Sequence, residues 1–347
     1  MVRQIEFTHP EPPPLTGRVW PVFLPFAGCP HRCLFCAQDK QTGHAPASRD
    51  QADLQAVFDT LAQDLESALD AGRAPCELAF YGGTFSALPA PWPETFLALA
   101  ARYRERGLIT RVRCSTRPDC VAPETLAALR ALGLDMVELG IQSFDDRALA
   151  ASGRGYTGKT ALRGCESVRE AGLALGIQLL PGLPGDHPGL FQHDAALAAD
   201  LAPEIARLYP CLVVRSTPLA TLWERGQYTP WSLDQAKAEL AAALTLLWAR
   251  SVRVIRLGLA PEDTLEANIL AGPWHPALGQ SVRGLALLSL VRDAVRRLGR
   301  SPSRLDVPRR HQGELLGHSR ELAAHYQALG LDRATIRYVD TPYFVLT

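Results

Sequence analysis

The stretch "VWPVFLPFAGCPHRCLFCAQ", residues 19–38, joins an apolar, β-branched run to a loop that packs Cys29, Cys33 and Cys36 into eight residues. The run predicts a strand. Pro21 and Pro25 cannot donate to a neighbour on their side, which places that strand at the edge of a sheet. Further candidate strands follow at "CELAFYGG" (76–83), "TRVRCST" (110–116), "DMVELGIQS" (135–143), "LALGIQLLPG" (173–182) and "ARLYPCLVV" (206–214), with "SVRVIRLGL" (251–259) as a candidate seventh. Between the first two, Leu54, Val57, Phe58, Leu61, Leu65 and Leu69 recur at helical spacing, with Ser48 or Asp50 as candidate caps and Gly72 at the end. Similar helical patterns lie near 91–106, 123–132, 158–171, 188–201 and 233–250. Strands alternating with helices predict a parallel sheet, and an edge-type first strand predicts a sheet that does not close: a partial (β/α)6 barrel of the α/β class.

In such barrels the chemistry gathers where the strands end. The residues there are unusual in five consecutive cases: the cysteines after the first strand, Gly82-Gly83-Thr84 after the second, Ser115-Thr116-Arg117 after the third, Gln142-Ser143 on the fourth, and Pro181 to Gly185 after the fifth. This points to one site. Gln142 ends an apolar strand and should aim its amide at the barrel mouth, with Glu138 on the same face by alternation. A buried glutamine held by backbone would give the same pattern, as an ordinary turn would for the glycines.

The chain has 36 basic and 36 acidic residues, so global charge argues for no nucleic-acid partner, and any basic patch must be local. Its first residues lack a secretory or transit pattern and no run is apolar enough to span a bilayer, which predicts a reducing, cytoplasmic setting without membrane attachment. There, eight cysteines read as metal ligands, reactive groups or core residues rather than disulfides. Cys76, Cys114, Cys120, Cys165 and Cys211 show no ligand spacing. Cys29, Cys33 and Cys36 do, but they lack the second pair that completes most structural zinc sites, and His31 would complete one only awkwardly. A 4Fe-4S cluster with three protein ligands and one open iron suits three thiols, and zinc or packing remain alternatives for the isolated motif.

Taken together, "AGCPHRCLFCAQ", "FYGGTFSALP", "STRPD", "VELGIQSFDD", "LLPGLPGD" and "LYPCLVVRSTPL" resemble, in order, the radical S-adenosylmethionine (SAM) superfamily, and within it the radical domain of the Elongator catalytic subunit and its bacterial relatives, over residues 18–230. The resemblance implies a radical SAM enzyme with two cofactors, a 4Fe-4S cluster held by Cys29, Cys33 and Cys36 and SAM chelated to its open iron. It implies reductive cleavage of SAM to a 5′-deoxyadenosyl radical that abstracts hydrogen from a substrate. Position by position it puts the Gly82-Gly83 turn at the SAM amino group, with Thr84 where many members carry an acid, and Gly182 and Gly185 at the adenine; by their own chemistry Ser115 and Arg117 suit its ribose or carboxylate and the Gln142 amide its ribose hydroxyls. In "SGRGYTGKT" the family usually has histidine where Tyr156 stands, which leaves Tyr156 out of the implied site and Arg154 at its margin.

By domain, residues 1–18 read as a lead, 19–260 as the barrel and 261–347 as a small C-terminal α/β region, with no acetyltransferase domain such as Elongator carries. That region predicts a long helix, then "SRLDVPRR", another helix near 313–329 and a final strand-like "TIRYVDTPYFVLT". From Arg283 to Arg310 it holds eight arginines against Asp293 and Asp306, either a phosphate-binding surface or a solvated helix face. Three substrate readings stay open: RNA, with tRNA as the analogue from Elongator; a small molecule, as in coproporphyrinogen oxidase; and a cluster- or zinc-binding module without turnover. A radical enzyme would also need a reductant such as flavodoxin or ferredoxin as a partner.

Overall fold

The computed structural model describes residues 4–25, 28–37, 51–259 and 263–347, so the candidate caps Ser48 and Asp50 lie outside the described residues. The chain forms β1 (Ile5–Thr8), crosses a Pro-rich segment and enters β2 (Arg18–Phe23). Strands and helices then alternate: α1 (Gln51–Asp70), β3 (Cys76–Tyr81), α2 (Trp92–Glu105), β4 (Ile109–Thr116), α3 (Pro123–Ala131), β5 (Met136–Gln142), α4 (Asp146–Ala151), α5 (Gly158–Glu170), β6 (Ala174–Leu179), α6 (Leu190–Asp200) and β7 (Ile205–Leu208). There follow β8 (Val213–Val214), α7 (Pro218–Glu224), α8 (Leu233–Ala249), β9 (Arg253–Leu257), β10 (Ile269–Ala271), α9 (Leu278–Leu298), β11 (Leu305–Pro308), α10 (Ala323–Ala328), β12 (Ile336–Val339) and β13 (Tyr343–Leu346).

Seven strands form one parallel sheet in the order β2-β3-β4-β5-β6-β7-β9. The candidate seventh strand is therefore real, and β2 lies at the edge, where Pro21 costs no ladder bond. Four steps across a flat sheet would separate β3 from β7 by about 19 Å. Arg207 of β7 nevertheless reaches the Tyr81 hydroxyl of β3 at 2.5 Å, so the sheet is curled into a half-barrel. Alternation sorts its two faces. Leu78, Phe80, Val112, Cys114, Val137, Leu139, Leu175, Ile177, Ala206 and Leu208 pack outward in the main core, which also takes the buried stripe of α1 (Leu54, Leu61, Leu65, Ala68) and Phe96, Leu97 and Tyr103 of α2. The intervening Glu77, Arg113, Ser115, Gln178 and Arg207 line the concave side. A half-barrel with apolar residues outside and charged ones inside leaves its centre for ligands.

β13 and β11 form the middle of a second sheet of order β1-β13-β11-β12. β1, from the stretch read as a lead, thus pairs antiparallel with β13. α9 ties the two sheets together, since Val282 and Ala286 belong to the barrel core and Leu287 to Leu298 to the second core. Three boundaries differ from the sequence reading. The run 206–214 breaks after Leu208 at Tyr209-Pro210, and its end, β8, pairs instead with β10. The helix expected near 313–329 is interrupted at Gly317, where the backbone turns to φ 70°. The final run 335–347 splits into β12, parallel to β11, and β13, antiparallel to it. Among the described residues no helix is long and apolar enough to cross a membrane.

Candidate active site

A cavity of about 830 Å³ occupies the half-barrel, lined at one end by the cysteine loop and at the other by the Pro-rich segment. The loop is pinned from two sides: Leu34 N–H donates to Ser152 O at 3.0 Å, and Leu34 O accepts from Leu219 N–H at 3.0 Å. Cys33 is buried; Cys29 and Cys36 are half-buried and all three line the cavity. Cys29 Sγ lies 3.0 Å from the Thr84 hydroxyl, in the turn that follows β3. Burial pushes the Cys29 thiol up, while the Thr84 hydroxyl and then Arg117 draw it back down. Gly82 of that turn has φ +106°, and a Cβ there would sit 2.2 Å from Leu24 O, so only glycine lets this turn pass β2.

Zinc at about 2.3 Å from each sulfur would draw the thiolates to about 3.8 Å of one another. Among the described residues the one set of three or more His, Cys, Asp or Glu ligand atoms within 4.8 Å is His9, His311 and Glu314, which does not include the cysteines. The three thiols are thus not drawn together as one zinc ion would hold them, and three thiolates lining one cavity end suit a cluster.

Arg154, after α4, is 5% exposed and holds the Cys33 edge of the loop. Its Nη1 donates to Cys33 Sγ at 3.1 Å, and its Nε and Nη2 to the Tyr156 hydroxyl at 2.9 and 2.7 Å. The Tyr156 hydroxyl in turn lies 2.9 and 2.8 Å from the carbonyls of Gly140 and Ile141 at the end of β5. Burial pushes that phenol up to about 12, so it stays a neutral donor. Tyr156 does not line the cavity; it supports the arginine that does. Tyr156, left out of the site by sequence, and Arg154, left at its margin, are thus the link between β5 and the cysteine loop.

Gly82, Gly83, Thr84, Ser115, Arg117 and Gln142 all line the cavity. Arg117 has its Nε and Nη2 fork on Asp119, at 2.9 and 2.8 Å. Its Nη1 is buried without a partner, one donor left at the cysteine end. Gln142 has φ 70°, uncommon for a residue with a side chain, beside a register irregularity between β5 and β6 that turns it toward the mouth. Ser115 accepts from Gln178 Nε2 at 2.9 Å. Gly182 and Gly185 stand apart from the cavity wall: Gly182 packs on Trp231 and Gly185 on α4. Their loop meets the cavity through Leu180 instead.

Deeper in the half-barrel lies a chain of alternating charge. Glu138, 1% exposed, accepts from Arg207 Nε at 2.7 Å and from the Tyr81 hydroxyl at 3.1 Å, and faces Arg113 Nε at 3.4 Å. Arg113, 3% exposed, also faces Glu77 at 3.6 Å, and Glu77 faces Arg111 at 3.6 Å. Arg111 closes the chain on Glu204 with two bonds of 2.6 and 2.8 Å, which hold that carboxyl below its usual range. Alternation could find Glu138, but not its partners, which come from β3, β4 and β7.

A curled parallel sheet with three spread thiols, a glycine turn and an unpaired guanidinium nitrogen at its C-terminal end is the site of a radical SAM enzyme. The chain belongs to that superfamily: the Radical SAM superfamily model matches residues 23–197 and the Radical_SAM C-terminal domain model residues 203–285. Its members use a 4Fe-4S cluster and SAM. Among curated proteins it is similar to tRNA uridine(34) acetyltransferase of Methanocaldococcus infernus (27% identical over 266 residues, 66% of this chain and 50% of that protein) and to human Elongator complex protein 3 (26% over 276 residues, 66% and 49%). The chain spans about half the length of these relatives. Among solved structures, an archaeal Methanocaldococcus infernus Elp3 lacking residues 1–46 superposes with a TM-score of 0.58 at 20% identity, covering 82% of this chain and 64% of that one.

Proposed function

We propose that this chain cleaves SAM reductively and uses the radical to take a hydrogen atom from an RNA substrate, tRNA in the first instance. The observation that carries the chemistry is the set of three thiols lining one end of a ligand-sized cavity whose walls bring charged groups among apolar ones. Cys29, Cys33 and Cys36 would hold the cluster, and the Gly82–Thr84 backbone, Arg117 Nη1 and the Gln142 amide would hold SAM. When bound, the reduced cluster supplies the electron that breaks a carbon–sulfur bond of SAM, giving methionine and a 5′-deoxyadenosyl radical. Arg154 keeps a positive charge against Cys33, and the buried walls keep water from the reacting carbon. The names of the curated relatives support tRNA. A cytoplasmic setting with flavodoxin or ferredoxin as electron donor completes the reading.

A small-molecule substrate is the second reading, favoured by how the Arg283–Arg310 stretch is used. Arg283 turns inward to Glu11, and Arg296, Arg304 and Arg309 pair with Asp293, Asp306 and Asp340. Four of the eight arginines are thus engaged by carboxylates, which reduces the charge available to a phosphate backbone. Anaerobic reconstitution, dithionite reduction and SAM should yield 5′-deoxyadenosine that is lost in Cys33→Ala; no product from an assembled, reduced cluster refutes the chemistry. Binding of tRNA should fall steeply with salt and weaken in Arg296→Glu plus Arg297→Glu, and salt-insensitive or absent binding leaves the small-molecule reading.

A further inference from the structure

Seven arginines and two glutamates line the cavity among the described residues; Arg113, Arg117, Arg207 and Arg283 face carboxylates, Arg154 faces the Cys33 thiol and Arg253 bonds the Pro13 carbonyl, which leaves Arg256. β7 and β9 pair through Ala206 with Val254, then Arg207 with Arg256, so β9 skips Ile255. The irregularity has a consequence, because residues paired across parallel strands share a face. Val254 is buried in the core although this stretch of β9 as a whole borders the cavity, and without the skip Arg256 would share the face of Val254. With it, Arg256 faces inward directly beside Arg207 and lines the cavity.

Two arginines opposite each other on neighbouring strands repel. Arg207 is compensated by Glu138, at 2.7 Å. Arg256 makes no hydrogen bond or ion pair with any described residue. Just past the end of β7, the Tyr209 hydroxyl, which also lines the cavity, accepts from Arg207 Nη1 at 3.1 Å, which leaves its own proton free to donate. A guanidinium fork and a hydroxyl proton on one wall match the oxygens of a carboxylate or phosphate group.

We propose that Arg256 and Tyr209 form an oxyanion subsite on the β7–β9 wall, which holds a carboxylate or phosphate of the molecule the radical attacks. The role given to the anion rests on the radical reading; its binding does not. The test uses the whole 347-residue chain, as purified and with its cluster reconstituted. Thermal unfolding and titration calorimetry are run with inorganic phosphate and with succinate, each against sodium chloride at equal ionic strength. The expected result is an anion-dependent rise in Tm that Arg256→Gln removes, with affinity at least about tenfold weaker, as for loss of a charged hydrogen bond. Arg256→Gln without anion should unfold no lower than wild type, since a like-charge pair has gone; Arg256→Lys should keep part of the rise. The stronger of phosphate and succinate tells which group the subsite takes. Three outcomes overturn the proposal: no rise in wild type, an undiminished rise in Arg256→Gln, or a rise lost equally in Arg117→Gln, which would put the anion at the cofactor end. Failure of the radical reading shows separately, as absence of 5′-deoxyadenosine from wild type.

Discussion

Glu138→Gln removes one charge from the centre of the alternating chain and little volume. The carboxylate it replaces is 1% exposed and compensates Arg207 at 2.7 Å and Arg113 at 3.4 Å. The amide can still accept from Tyr81, but it leaves Arg207 without an anion and Arg113 with Glu77 alone, at 3.6 Å. Removing one partner of a buried ion pair costs about 3–5 kcal/mol, mainly because the remaining charge stays desolvated. With an unfolding entropy of about 2.1 cal/mol/K per residue, a chain of 347 residues loses roughly 6 °C of Tm for 4 kcal/mol. Urea and thermal unfolding by circular dichroism measure it. The double variant Glu138→Gln with Arg207→Gln should recover part of the loss, with a coupling of about 1.5 kcal/mol or more. A single variant within about 0.5 kcal/mol of wild type, or strictly additive singles, would refute the claim that this network bears on stability.

Three further outcomes follow from the geometry. Arg154→Met removes the cation beside Cys33 and should weaken iron retention by about tenfold, measured as iron per chain after chelator challenge; unchanged retention would mean Arg154 only packs. Gly82→Ala places a methyl 2.2 Å from Leu24 O at φ +106° and should cost about 1–3 kcal/mol together with SAM binding, read by unfolding and equilibrium dialysis. Burial raises the Asp194 carboxyl to about 6 although Ser143 and the Phe144 N–H bond to it, so the fold favours its protonated form. That contribution is fully present below about pH 4 and lost as pH rises through about 6, a difference of up to about 3 kcal/mol. Asp194→Asn should therefore gain on wild type between pH 4 and 7, and a constant difference in urea midpoint would contradict this.

The barrel was legible because its signals are local. The apolar run "MVELGIQ" in β5, the apolar stripe of α1 and the proline of β2 each fix an element from its own residues. The cysteines, the Gly82 turn, Arg117 and Gln142 were legible for a related reason: in a parallel sheet every strand end is brought to the same side, so position along each unit already says which residues meet. Gly182 and Gly185 lie beyond a strand end, where the loop's path decides, and that path turns them onto Trp231 and α4.

What the sequence determined by itself was therefore the periodic part: the strands and helices, the edge position of β2 and the set of residues gathered at the cysteine end. Only the tertiary structure decided what depends on distance across the fold. The bond from Arg207 to the Tyr81 hydroxyl needs the sheet to curl, since in a flat sheet β3 and β7 never meet. The joining of β1 to β13 closes a loop of over three hundred residues, for which no local pattern exists. Arg256 shows the limit most directly. Strict alternation sends it outward with Val254, and one skipped residue in the register with β7 turns its charge into the cavity.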